Sequence, residues 1–171
     1  MVGAGVPSLY APAAATRVVG DNDGGSVAAL AAHDDVSMST GEVAGTGLEV
    51  VVTVGTTDIT EVPSLVRVTG YYDGGATHNV GVYLYNYSSA AWELAATMLN
   101  RSTPFDYVIP AHADHADPLT GAMSLRFLHS AGTYQAAHAL HLDWVSFEKV
   151  ETTSQLQSDV AAVLALAIRR E

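Results

Sequence analysis

The sequence contains no cysteine and few basic side chains, and both shortages limit what the protein can do. Without cysteine among its 171 residues, the chain forms neither disulfide bonds nor thiolate metal sites. Lys and Arg number 7 against 18 acidic residues, which gives a formal net charge of −11. Because binding to nucleic acid phosphates needs clustered Lys and Arg, we expect no nucleic acid partner.

Long apolar runs are also missing. No stretch approaches the roughly 20 apolar residues that a membrane-spanning helix needs. The N-terminal residues lack the basic start of a signal peptide, and Pro7 and Pro12 interrupt any apolar run there. We therefore expect no secretion signal and no membrane partner, and we expect residues 1–16 to form an extended arm.

The sequence is rich instead in short β-forming runs. Hydrophobic residues make up 49% of the chain, which indicates a folded protein. Eight or nine short strands without strong helical patterns between them predict an all-β fold, an antiparallel jelly-roll β-sandwich over residues 17–150. The predicted strands are 36–40, 48–54, 65–72, 79–87, 92–99, 105–109, 122–129 and 139–150, with 26–33 as a weaker strand or a short helix.

Residues 151–171 have a helical pattern. Ser154 and Gln157 fit a capping box, and apolar residues follow at helical spacing. This predicts a C-terminal amphipathic helix whose apolar stripe packs either on the sandwich of its own chain or on another subunit. In the second case it is an assembly helix, formed by Leu156, Val160, Val163, Leu164 and Ile168.

The stretch AHADHADP at residues 111–118 has the composition of a metal site. His112 and His115 are three residues apart, and Asp114 and Asp117 lie beside them. Because prolines bound the segment, we interpret it as a solvent-facing loop between strands. A metal site completed by a neighbouring chain is the alternative, but we expect neither a metal nor a cofactor.

The sequence contains neither a complete calcium-binding loop nor a motif for a catalytic serine. The sequence DNDGG resembles the start of a calcium loop, but Ala32 stands where such a loop needs its glutamate. No GxSxG elbow for a catalytic serine occurs. We therefore expect no catalytic residues and no enzymatic activity.

Aromatic residues alternate along NVGVYLYNY at residues 79–87. In a strand this pattern directs Tyr83, Tyr85 and Tyr87 to one face, with Trp92 close behind in sequence. These four residues form a candidate interaction face. One alternative is that the tyrosines pack between two sheets; the other is that they form a flat exposed platform for sugar rings or a protein partner.

Residues 65–150 resemble the jelly-roll modules of tailed-phage virion structural proteins. The resemblance rests on the sequence YNY ending at Tyr87, on Trp92, on LRFLH ending at His129 and on HALHLDWV beginning at His138. It implies a virion protein that decorates the capsid or associates with the head. Its partners would be the major capsid protein or tail proteins, and it would form a homo-oligomer, with a trimer as one form.

A different class of function is also compatible with these residues. The alternative is a carbohydrate-binding module, or a receptor-binding tail component, that uses the aromatic face. The polar residues of the last two strands have a structural interpretation, because buried charges are tolerated only when they are paired. We therefore expect a fold-specifying polar cluster formed by Arg126, His129, His138 and Asp143.

Overall fold

The computed structural model of the protein describes residues 8–55, 62–130 and 138–149. The predicted C-terminal helix, with its five apolar residues from Leu156 to Ile168, lies outside these ranges. Within them there are two 3-10 turns, at Val27–Leu30 and Ala113–His115, and no α-helix. No helix in the described ranges is long and apolar enough to cross a membrane.

Eleven strands form the described part of the chain. They are β1 (Ser8–Tyr10), β2 (Ala14–Val19), β3 (Asp21–Gly24), β4 (Met38–Gly41), β5 (Gly47–Val54), β6 (Leu65–Asp73), β7 (Asn79–Asn86), β8 (Ala91–Leu99), β9 (Phe105–Pro110), β10 (Met123–Ser130) and β11 (Ala139–Lys149).

The strands form two antiparallel sheets. Sheet I has the order β3-β4-β11-β6-β9, with β1 also paired to β11, and sheet II has the order β2-β5-β10-β7-β8. From β4 onward the chain passes repeatedly between the sheets, and the two central orders, β4-β11-β6-β9 and β5-β10-β7-β8, have the pattern of a jelly roll. The predicted all-β sandwich is confirmed.

The core lies between the sheets because apolar residues alternate with polar ones along the strands. In β5, Val50 and Val52 are fully buried, whereas the alternating residues Glu49 and Val51 are half-buried on the outer side. Strand β10 repeats the pattern with buried Leu125 and Phe127. A one-residue slip would reverse these faces, so the alternation fixes which side chains each sheet presents to solvent.

The N-terminal boundary differs from the prediction. Residues 8–16 were assigned to an extended arm, but β1 pairs with β11 and β2 pairs with β5. Residues 8–10 and 14–16 therefore belong to strands of the sandwich. Of the two alternatives for residues 26–33, a weak strand or a short helix, the structure has the helical one, a 3-10 turn at Val27–Leu30. The Ser26 hydroxyl accepts the backbone N–H of Ala28 and starts the turn.

Candidate functional site

The tyrosines of β7 lie on the outer face of sheet II. Val80, Val82 and Leu84 point into the core and are fully buried, whereas Tyr83 and Tyr85 point outward and are half-buried. The tyrosines therefore do not pack between the sheets. The sequence left this question open because strict alternation defines two faces without saying which one is covered.

Tyr83 lies along the sheet over a glycine. A Cβ atom built on Gly81 would stand 2.6 Å from the Tyr83 ring, so the ring covers the space that a side chain at position 81 would occupy. The Arg126 guanidinium lies 4.7 Å from the ring centroids of both Tyr83 and Trp92. The arginine comes from the neighbouring strand β10, where it is paired in register with Tyr83.

Arg126 is weakly paired within this face. Its Nη1 atom is 3.8 Å from Glu49 Oε1, and its Nε atom is buried and has no hydrogen-bond partner among the described residues. A buried donor without a partner is costly, and because this Nε atom has no exposed surface, a ligand oxygen reaches it only if the arginine moves.

The other rings meet edge to face. Tyr85 is paired with Trp92 across β7 and β8, and their centroids are 5.2 Å apart at 69°. Tyr87 meets Tyr85 at 4.9 Å and 87°. The predicted flat platform is therefore wrong in detail: the aromatic face has rings at steep angles to one another, as aromatic pairs prefer.

A groove of about 300 Å³ runs beside Tyr83. Its polar groups come from the ends of β7, β8 and β10, and its apolar floor is made by Leu94 and Leu128. Small-molecule sites have this mixture of apolar surface and a few polar groups. The polar residues that line it are Thr77, His78, Asn79, Thr97, His129 and Ser130.

The four residues of the predicted polar cluster are divided among three places. Arg126 lies on the outer face of sheet II. Asp143 lies on sheet I, at a β-bulge between Leu142 and Trp144. His129 and His138 come together inside one end of the sandwich. Among the described residues Asp143 pairs with His33 rather than with Arg126, His129 or His138, so the four residues do not form one cluster.

Glu42, which the sequence analysis did not single out, joins His129 and His138. Its Oε1 atom is 3.2 Å from His129 Nε2, and its Oε2 atom is 3.3 Å from His138 Nδ1. The Tyr72 hydroxyl donates to Glu42 Oε1. Burial, reinforced by the neighbouring carboxylate, raises the pKa of Tyr72 far above its usual value, so this hydroxyl keeps its proton.

Asp143 is a buried carboxylate with weak support. Its side chain is 5% exposed, and the nearest opposite charge is His33, whose Nε2 atom is 3.7 Å from Oδ2. Neither carboxylate oxygen has a hydrogen-bond partner within the described ranges. The side chain lines a cavity of about 150 Å³ together with Asp35, Tyr71 and His141.

The histidines of residues 111–118 contact a glutamate on strand β8. His115 is buried, its Nδ1 atom accepts the backbone N–H of His112, and its Nε2 atom is 3.1 Å from Glu93 Oε2. Because Nδ1 is an acceptor, Nε2 carries the proton that it donates to Glu93. Hydrogen bonds from His115 and then Asn86 lower the pKa of Glu93 below its usual value.

This geometry shows whether the stretch AHADHADP at residues 111–118 is arranged as a metal site. Glu93, His112 and His115 bring three possible ligand atoms within 4.8 Å of one another. However, His115 could bind a metal through Nε2 only by losing the proton that its Nδ1 hydrogen bond fixes there. The arrangement is a hydrogen-bonded turn anchored to an edge strand, as the loop interpretation predicted, although His115 is buried rather than solvent-facing.

Comparisons with known proteins give no family. No family model matches the chain, and no curated protein matches it. Among solved structures, a variant of the carbohydrate-binding module CBM29-2 is similar at a TM-score of 0.48 and 10% identity, over 84% of this chain and 94% of the other. A family 29 carbohydrate-binding module has a TM-score of 0.48 and 12% identity, over 79% of this chain and 89% of the other.

A CBM29-2 variant in complex with mannohexaose gives a TM-score of 0.46 and 11% identity, over 86% of each chain. At these identities the likeness concerns the arrangement of strands and transfers no residue role. The prediction of a phage virion structural protein, capsid-decorating or head-associated, is wrong on these findings, because the similar structures named above are carbohydrate-binding modules and not virion proteins. The expected virion location and virion partners are without support as well.

Proposed function

We propose that the protein is a carbohydrate-binding module that binds sugar without catalysis on the outer face of sheet II. The observation that carries the proposal is the outward row of Tyr83, Tyr85 and Trp92 beside the groove. This was the alternative function derived from the sequence, and it depended on these side chains facing outward.

The chemistry of the face suits a sugar ring. Pyranose rings have apolar C–H faces that pack on aromatic side chains, and they have hydroxyl groups around the rim that need donors and acceptors. Tyr83 and Trp92 supply the aromatic surface. Arg126 supplies a guanidinium group beside both rings, and Asn79 and Thr97 supply polar groups in the groove.

The charge of the molecule favours neutral sugars. The net charge of −11 repels polyanionic glycans over the whole surface. Arg126 is held close to Glu49, so the candidate face has no uncompensated cation that would reverse this effect. We therefore infer that the ligands are neutral polysaccharides or their oligosaccharides.

Isothermal titration with soluble neutral polysaccharides (mixed-linkage β-glucan, glucomannan, xylan and galactan) tests the proposal. We expect at least one to bind, and we expect Tyr83→Ala and Trp92→Ala each to weaken that binding about tenfold or more, since a loss of about 1.4 kcal/mol is tenfold. Circular dichroism checks that each variant is folded.

Tyr71→Ala is the matched control. Tyr71 is also half-buried on an outer face, but it lies on sheet I and stacks on His141 with centroids 4.5 Å apart. We expect this variant to bind sugar as the unmodified protein does. Binding to none of the four polysaccharides, or equal losses in the Tyr71 and Tyr83 variants, would overturn the proposal.

A further inference from the structure

Five polar and ionisable side chains from distant parts of the sequence meet inside one end of the sandwich. Glu42 follows β4, His78 lies in the turn between β6 and β7, and His138 immediately precedes β11. Tyr72 on β6 and His129 on β10 complete the cluster. Its members come from both sheets, so whatever holds them together also ties the sheets to each other.

The three imidazoles surround one carboxylate. Glu42 has a 2% exposed side chain and contacts His129 and His138 through different oxygens, at 3.2 and 3.3 Å. The ring of His78 lies 5.2 Å from that of His129 and 5.1 Å from that of His138, measured between centroids. One ligand atom from each of Glu42, His78 and His138 lies within 4.8 Å of the others.

The hydrogen bonds of His129 leave two lone pairs, one on His129 and one on Glu42, facing each other. Its Nδ1 atom is 2.7 Å from the backbone oxygen of Asn79, which can only accept, so Nδ1 carries a proton. In the neutral imidazole, Nε2 then directs a lone pair toward Glu42 Oε1. A metal cation between the two atoms satisfies both lone pairs. A histidine that donates its other N–H to a backbone carbonyl is also the usual form of a metal ligand.

We propose that this cluster is a Zn²⁺ site in which Glu42, His78 and His138 are ligands and His129 occupies the fourth position. Zinc takes tetrahedral sets of histidine and carboxylate ligands at roughly 2.0–2.1 Å, which separates neighbouring ligand atoms by about 3.3 Å. The contacts of Glu42 with His129 and His138 have about this length, but they use different carboxylate oxygens, and His129 lies outside the group of three ligand atoms within 4.8 Å. Binding of one Zn²⁺ therefore requires small shifts of these side chains.

Tyr72 has a supporting role at this site. Its hydroxyl donates to Glu42 Oε1, so it orients the carboxylate without contacting the metal. Such supporting hydrogen bonds are worth about 10- to 100-fold in metal affinity. A bound Zn²⁺ would link the turn after β6 to the ends of β4, β10 and β11.

Zinc titration of the chelator-treated full chain tests the site. We expect one equivalent to bind, with an accompanying rise in melting temperature, and we expect His78→Ala to weaken binding by more than about 100-fold. His78 lies in a turn outside the strands, so this substitution leaves the sheets intact. Tyr72→Phe should weaken binding by about 10- to 100-fold.

The control is His112→Ala, which removes a histidine of the other His–Glu group and should leave zinc affinity unchanged. Cobalt substitution gives a readout independent of any variant: tetrahedral nitrogen and oxygen ligands produce intense visible absorption, whereas surface binding does not. Absence of stoichiometric zinc binding, weak octahedral cobalt spectra, or loss of affinity in His112→Ala but not in His78→Ala would each overturn the proposal. Sugar binding is measured separately, so its failure would not affect this result.

Discussion

At the scale of single residues, Asp143 is a buried charge that its surroundings do not satisfy. Its two oxygens have no hydrogen-bond partner among the described residues, and its one ionic neighbour, His33, has a side chain that is 58% exposed. An uncompensated buried carboxylate lowers stability. The expectation that Asp143 specifies the fold therefore depends on a single weak contact.

Asp143→Asn tests whether the carboxylate lowers the stability of the protein or specifies its fold. The substitution keeps the shape of the side chain and removes the charge, so we expect the free energy of unfolding to rise by about 1 kcal/mol at pH 8, where histidines are ordinarily neutral. Urea denaturation measures the change. Asp35→Asn, at the exposed rim of the same cavity, should change nothing. A clear loss of stability in Asp143→Asn would show instead that the carboxylate specifies the fold.

At the scale of secondary-structure elements, the sequence predicts most of the strands correctly but not the first three. The sequence predicts strands β4 to β11 within a few residues, because most of them alternate apolar and polar residues or are runs of β-branched residues. Strands β1, β2 and β3 were missed. The segment Ala14–Val19 is mostly small residues with an exposed face, and its pairing with β5 depends on contacts that no local pattern announces.

The 3-10 turn at Ala113–His115 is held to β8 by Glu93 and next to the end of β7 by the hydrogen bond that the Tyr87 N–H donates to the Asp114 carbonyl oxygen. Glu93 accepts from His115 and from Asn86, and these bonds lower its pKa in the folded state. A lowered pKa means that the unfolded chain binds more protons in this pH range, so folding stability increases with pH there. The contribution is complete above the ordinary pKa of 4.5 and is lost as the pH falls through the lower, folded-state value.

Glu93→Gln should therefore be less stable than the unmodified protein at pH 7, with a difference that shrinks toward pH 3. Urea denaturation across this range measures it. Asp114→Asn is the matched control, since Asp114 is exposed and its one ion pair within the described ranges, with His112, is 3.8 Å long. A difference that is constant with pH would contradict the role given to the Glu93 carboxylate.

At the scale of the whole molecule, the sheet order determines which residues meet, and this is where the sequence was least informative. The sandwich class followed from strand spacing. The cluster of Glu42, His78, His129 and His138 did not, because successive members are 9 to 51 residues apart in sequence and are brought together by the sheet order of β4, β10 and β11. From the sequence, His129 and His138 are expected only as part of the fold-specifying polar cluster, and Glu42 and His78 are not indicated at all.

The same sheet order gives the molecule two outer faces that differ in aromatic content. Sheet II presents the row of Tyr83, Tyr85 and Trp92 beside a groove. Sheet I presents Tyr71 stacked on His141, and Trp144 near His33 with ring centroids 5.9 Å apart. The chain has only two tryptophans, and one lies on each sheet. Each indole therefore reports on a single face.

The most direct measurement of the central claim is a sugar titration followed by the two indole N–H resonances of the protein, assigned with Trp92→Phe and Trp144→Phe variants. The account predicts that the saccharide shifts the Trp92 signal in a saturable way and leaves the Trp144 signal in place. A saturable shift of Trp144 alone, or no shift of Trp92 with the saccharide that binds best, would contradict it.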